Sequence, residues 1–255
     1  MSREHPVRDA GLAVSLLTVV PTSARWPDDG ATQCAAWFPL VGGMVGFVGY
    51  IEAHLAEVIG ATPRGSLVVA GIIVATWALL TRMLHWDGLA DTADGFWGSH
   101  ERQRRLEIMD DSRTGAFGAT TVAGVAVLEV AALGAILAAP HQLPVLLVPV
   151  VSRFSATAAA WFGVPARPDG LGRSVMGRPT ALGLLVALAT LGGATALFTW
   201  AFHVPGLVFA VSAVAIALAV PHLLSLRFGG VTGDVMGASV LLTETLLFVI
   251  FSLVW

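Results

Sequence analysis

The chain contains no lysine; its fourteen basic residues other than histidine are all arginine. Charge of either sign is scarce, with 12% of the 255 residues charged, against about 25% in an ordinary soluble domain. Together with 56% hydrophobic residues and a mean hydropathy of +0.79, that scarcity points to lipid as the solvent for most of the surface. The single cysteine, Cys34, excludes an internal disulfide and a thiolate zinc site; it reads as a small packing residue. No internal repeat, low-complexity linker or soluble domain is evident, so residues 1–255 are expected to form a single integral-membrane domain. No cleavable signal peptide is expected either. The start is polar, and the apolar stretch Leu12–Val20 is short and lacks a small-residue cleavage site.

What is abundant is apolar runs. A crossing of the hydrocarbon core takes about 20 residues. Seven runs qualify, at 36–59, 66–84, 116–139, 143–162, 180–201, 204–225 and 236–254. The expected fold is therefore all-α: a polytopic helical membrane protein with about seven transmembrane helices. Leu12–Val20 is expected to add an interfacial or re-entrant segment ending at Pro21, and Pro221 to kink the end of the sixth run. With a cytoplasmic N-terminus, the cytoplasmic segments hold Arg3, Arg8, Arg25, Arg102, Arg104, Arg105, Arg113, Arg167, Arg173, Arg178 and Arg227. The opposite loops hold only Arg64. That asymmetry follows the positive-inside rule and places the C-terminus outside. The longest polar segments, 94–114 and 163–179, then face the cytoplasm.

The strongest chemical signal is Leu84-His85-Trp86-Asp87-Gly88-Leu89-Ala90-Asp91-Thr92-Ala93-Asp94-Gly95. It is expected to continue the second run without a break. Spacings of four and three residues put Asp87, Asp91 and Asp94 on one helical face. Like charges so stacked repel one another unless a cation compensates them. Oxygen-only ligands favour a hard ion, so Mg²⁺ is the expected cofactor. The alternative is a solvated acidic helix end. His85 could be a ligand, a base or a packed interfacial histidine.

Asp110-Asp111-Ser112-Arg113-Thr114-Gly115 sets acid, hydroxyl, base and glycine at the entrance of the next helix, where backbone N–H groups favour anions. Asp111 is a candidate to complete the metal site, and Asp110 is as readily a solvated residue. Arg105 and Arg113 are candidate phosphate clamps; Arg102, Arg104 and Arg105 serve equally as topology-setting charge. Arg153, inside an apolar run, needs an acidic partner or a phosphate. Gly229–Ala238 precedes the last run. Gly233 permits close ligand approach, and Asp234 is either a site residue or a helix cap. Glu244 is expected to face the bundle interior, while Gly42 and Gly46 form a small-residue packing face.

These residues resemble the cobalamin-5′-phosphate synthase family, whose members are also called adenosylcobinamide-GDP ribazoletransferases. The resemblance rests on His85–Gly95, Arg104–Gly115 and Gly230–Asp234, with Phe38–Gly42 similar to the family's N-terminal pattern. Two positions depart from it: Trp86 stands where Leu is usual, and Asp110 where Lys is common. The resemblance implies transfer of the adenosylcobinamide-phosphate moiety of adenosylcobinamide-GDP to α-ribazole 5′-phosphate, or α-ribazole, with release of GMP. It implies a multi-pass enzyme of a bacterial or archaeal cell (inner) membrane, with its active site on the cytoplasmic side. Asp87, Asp91, Asp94 and Asp111 would hold Mg²⁺. Asp91, Asp94, His85 and Asp111 would serve catalysis, and Arg105, Ser112, Arg113, Arg153, Gly233 and Asp234 would bind substrate. It leaves room for a homo-oligomer or association with other cobalamin-assembly enzymes. No nucleic-acid partner is expected. Two other classes compete. A CDP-alcohol phosphotransferase shares the chemistry, but Asp91 and Thr92 occupy the Ala and Arg places of its Asp-Gly-x-x-Ala-Arg pattern. An ion-coupled transporter would use the intramembrane acids for its ion, but the inverted repeat many such proteins carry is missing.

Overall fold

A computed structural model describes residues 5–27, 32–60, 65–139 and 141–255. Arg3 and Arg64, used above for topology, lie outside the described residues. Helices dominate, and among the described residues the only extended pairing is an isolated bridge between Pro165 and Val231.

Helix α1 (Pro6–Leu17) opens with proline in its first turn, where the missing N–H costs nothing. Asp9, Leu12, Ala13 and Leu17 recur at helical spacing and are buried. The helix thus begins six residues before the expected apolar segment, and the chain is extended at Thr18. A 3₁₀ turn, Cys34–Trp37, leads into α2 (Phe38–Val58). Then follow α3 (Ser66–Leu80), α4 (Leu84–Gly98), α5 (Arg102–Met109), α6 (Ala116–Ala138) and α7 (Leu143–Phe162). The chain ends with α8 (Leu171–Val175), α9 (Ala181–Phe228) and α10 (Gly233–Val254).

Helix α7 is the hub and is buried almost throughout. Against it lies α2, brought close because Gly42 and Gly46 have no side chain; a Cβ at either would strike the α7 backbone at Pro149 or Leu146. The small-residue face read from the sequence is this contact. Around the hub, Val45, Ile73, Trp77, Leu133, Phe198, Phe209, Phe248 and Phe251 join five further helices into one apolar core.

One expectation is corrected here. The carboxylate helix does not continue the second run. Arg82 and Met83 adopt left-handed torsions (φ 52° and 56°), and α4 turns 88° away from α3. Left-handed torsions cost a non-glycine residue about 1–2 kcal/mol, and local bonds hold the corner. Met83 N–H donates to the Ala78 carbonyl at 2.7 Å, and Val19 N–H to the Leu80 carbonyl at 2.7 Å. The Arg82 guanidinium donates to the Ser15 carbonyl at 2.6 Å, closing the end of α1.

The seven runs map onto fewer continuous helices. Among the described residues five helices are long and apolar enough to cross a membrane, or six if α3 and α4 form one broken crossing. The runs at 180–201 and 204–225 share the 48-residue α9, which as a straight helix would measure about 72 Å, far more than a bilayer core of about 30 Å. It is not straight. His203 leaves helical torsions (φ 54°), and the rings of Phe198 and Phe209 meet at 5.1 Å, where a straight helix would hold those residues about 16 Å apart. The limbs 181–202 and 204–228 therefore fold back on each other, dividing where the two runs divide. The second limb continues through Pro221 without interruption.

Candidate active site

Helices α4 and α10 touch through glycine. A Cβ on Gly88 would lie 2.8 Å from the Asp234 carbonyl oxygen, and one on Gly237 would lie 3.2 Å from that of Leu84. This backbone contact carries Asp87 and Asp91 of α4 up to Asp234 of α10. Thr232 is the cap of α10, its hydroxyl accepting from Val235 N–H at 3.1 Å. Asp234 is thereby freed from capping and sits in the first turn, where the helix dipole favours an acid.

The junction opens into a cavity of about 470 Å³. Its wall holds the carboxylates of Asp87, Asp110, Asp169 and Asp234 and the guanidiniums of Arg167 and Arg173. His85 also lines it, 4% exposed, and neither ring nitrogen has a hydrogen-bond partner. An unpartnered buried polar group costs free energy, and both nitrogens of this imidazole are shielded from solvent. Asp91 stands one turn beyond Asp87, half-buried, and feels the charges of Asp87, Asp234, Asp94 and Arg167.

Other residues named from the sequence lie elsewhere. Asp94 is buried, its carboxylate accepting from Gly115 N–H at 2.7 Å and Gly118 N–H at 2.9 Å. A Cβ on either glycine would run into that carboxylate. The anion expected at the entrance of α6 is thus supplied by the chain itself. Asp111 is gripped by its neighbour Arg113 through two side-chain bonds, of 3.0 and 2.7 Å. Those bonds hold the Asp111 carboxyl down at about 2. With Asp94 and Arg104 this pair lines a second recess, whereas Ser112 is simply exposed.

Arg105 is buried and donates to the carbonyls of Ser99 and Arg227, each at 2.7 Å, tying α5 to the end of α9. Arg153 is paired with Glu244 inside the bundle. Ser152 accepts from the guanidinium at 3.0 Å and donates to the carboxylate at 2.7 Å. This is the carboxylate partner that burial demanded of Arg153, and Glu244 does face the interior. Gly233 lies in the cavity wall beside Asp234.

Sequence reasoning missed Arg167, Arg173 and Asp169 as site residues. The first two were counted only as topology-setting charge. What brings them in is backbone pairing: Ala166 N–H donates to the Val231 carbonyl at 3.0 Å, and Val231 N–H to that of Val164 at 2.7 Å. No local pattern announces a pairing across more than sixty residues.

Among the described residues no three carboxylates, imidazoles or thiols already stand close enough to form a metal site. The donor chemistry nonetheless suits a hard cation. The cavity wall is oxygen-rich, its acids outnumber its arginines, and Asp91 feels the charge of further carboxylates.

A model of the cobalamin-5-phosphate synthase family matches residues 9–252. The adenosylcobinamide-GDP ribazoletransferase of Syntrophobacter fumaroxidans is 42% identical over 244 residues, covering 93% of this chain and 95% of that protein. The same-named proteins of Frankia casuarinae and Bradyrhizobium diazoefficiens are 38% and 36% identical, each match covering over nine-tenths of this chain and 91% and 88% of those proteins. No solved structure matches. Neither the CDP-alcohol phosphotransferase nor the transporter is favoured by these relatives.

Proposed function

This chain belongs to the cobalamin-5-phosphate synthase family, and from that premise we propose that it joins adenosylcobinamide-GDP to α-ribazole 5′-phosphate, or α-ribazole, in the cavity between α4 and α10. The ribazole hydroxyl would attack the phosphorus nearest cobinamide. That P–O bond forms as the bond to the GMP oxygen breaks, and GMP leaves. The carrying observation is the approach of Asp87, Asp91 and Asp234 across the Gly88–Gly237 contact. A cavity of about 470 Å³ suits a diphosphate and an attacking ribose, with the corrin ring left outside its mouth.

Asp87 and Asp91, with Asp234, are the residues proposed to hold Mg²⁺. When bound, the ion would neutralise charge developing on the phosphoryl oxygens. His85, unpartnered at both buried nitrogens, would accept the hydroxyl proton once its ring turns toward the cavity. Asp94 keeps the entrance of α6 against α4. The second recess, with Asp111 and Arg113, would then flank the reacting centre. The cavity residues Arg167 and Arg173 belong to the arginine-rich loops, so the site is proposed to face the cytoplasm across the cell (inner) membrane.

The test is GMP release from adenosylcobinamide-GDP by the detergent-solubilised protein, with and without EDTA. Turnover should require a divalent ion and fall at least a hundredfold in Asp87→Asn and Asp91→Asn. Near-normal turnover in EDTA would remove the metal, and near-normal turnover in both variants would remove the site.

A further inference from the structure

The cavity wall is more acidic than basic, so a phosphate entering it depends on the few cations there. Arg167 is the one built in. Its side chain is 25% exposed and paired with Asp110 at 2.7 Å. It also donates to the Leu106 carbonyl at 2.8 Å. Its backbone neighbour Ala166 is bonded to Val231, just before α10. Its charge reaches both Asp91 and Asp234. The fold therefore fixes this guanidinium beside the carboxylates while tying it to α5. Its partner Asp110 is 63% exposed and gains little from an ion pair in water.

We propose that Arg167 grips a phosphate oxygen of the substrate, and that Asp110 is the resident competitor occupying Arg167 until the phosphate arrives. The assignment rests on the reading of this cavity as a phosphoryl-transfer site. A guanidinium fork fits a carboxylate and a phosphate alike, but Arg167 already spends one edge on Leu106. Asp110 and a phosphate then contend for what remains. The more highly charged phosphate displaces the solvated carboxylate, and Asp110 weakens anion binding by the free energy of the pair it gives up.

The experiment is equilibrium dialysis of radiolabelled inorganic pyrophosphate against the full-length protein in detergent at fixed free Mg²⁺. Asp110→Asn should bind about threefold tighter, as loss of an exposed competing pair implies. Arg167→Gln should bind about tenfold weaker, as loss of the charged donor implies. In the double variant the Asp110→Asn gain should vanish, because Asp110 acts through Arg167; a residue with a merely structural role would not produce that coupling. No binding, weaker or unchanged binding in Asp110→Asn, or a gain that persists in the double variant overturns the proposal. Turnover of adenosylcobinamide-GDP by the unmodified protein is measured alongside. Turnover without the coupling sinks the Arg167 assignment alone, whereas the coupling without turnover sinks the function proposed above and leaves the phosphate site standing.

Discussion

Replacing Gly88 with alanine tests the geometry of the site most directly. The new Cβ would meet the Asp234 carbonyl oxygen at 2.8 Å, the Asp234 Cα at 3.1 Å and the Gly237 Cα at 3.3 Å. All three are backbone atoms, so no side chain can swing aside. Ordinary contact begins at 3.4 Å, so α4 and α10 must part by roughly 0.6 Å at this point. Overpacking of that kind costs about 1–3 kcal/mol, offset by at most about 1 kcal/mol from alanine's better helix propensity. The larger effect falls on function. Misplacing reacting groups by an ångström costs on the order of a hundredfold, so about 0.6 Å between Asp87 and Asp234 should lower kcat/KM by roughly ten- to fiftyfold. Gly237→Ala, whose nearest contact is 3.2 Å, should be milder. Gly124→Ala on α6 meets nothing within 4 Å and should leave turnover unchanged. Thermal unfolding in detergent and GMP release are read on all three. If Gly88→Ala matches Gly124→Ala in both, the glycine contact does not set the spacing of the carboxylates.

Asp94→Ala removes two bonds from the first turn of α6, each worth about 1.5–3 kcal/mol to a charged acceptor. Amide exchange at Gly115 and Gly118 should quicken markedly while the middle of α6 stays protected; unchanged exchange would count against the cap. Glu244→Ala removes the paired carboxylate of the buried Arg153, leaving it the charge of Glu129 with no direct ion pair, and should destabilise by about 3–5 kcal/mol. A double Arg153→Met, Glu244→Leu variant should recover much of that loss in a denaturation series. Arg113 depresses Asp111 to about 2, chiefly through side-chain hydrogen bonds. A depressed acid contributes above its unfolded value and is lost as pH falls through the folded one, so this pair should persist at pH 4.5. The Asp111 carboxyl carbon shift would show it, and titration near the ordinary carboxylate range would refute the pairing.

Much of the fold was legible because hydropathy and small-residue spacing are local properties. Gly42 and Gly46 were read as a packing face and pack. Arg153 needed an acid, and Glu244 supplies it. The corner at Arg82–Met83 was not legible, since nothing in an arginine and a methionine signals left-handed torsions. Tertiary bonds from α1 hold that corner. Asp94 illustrates the same limit. Its place in the acidic pattern was plain, but its carboxylate is taken by amides more than twenty residues on.

The sequence by itself determined a helical membrane protein with an acid-rich helix, because apolar runs and i, i+4, i+7 spacing act through local chemistry alone. Tertiary structure alone decided which acids share a cavity, since charge proximity depends on where backbones meet. Gly88 against Gly237 brings Asp234 to Asp87 and Asp91, and the Val231 pairing brings in Arg167. The folding of the chain, rather than the acidic motif, set which charges line the cavity.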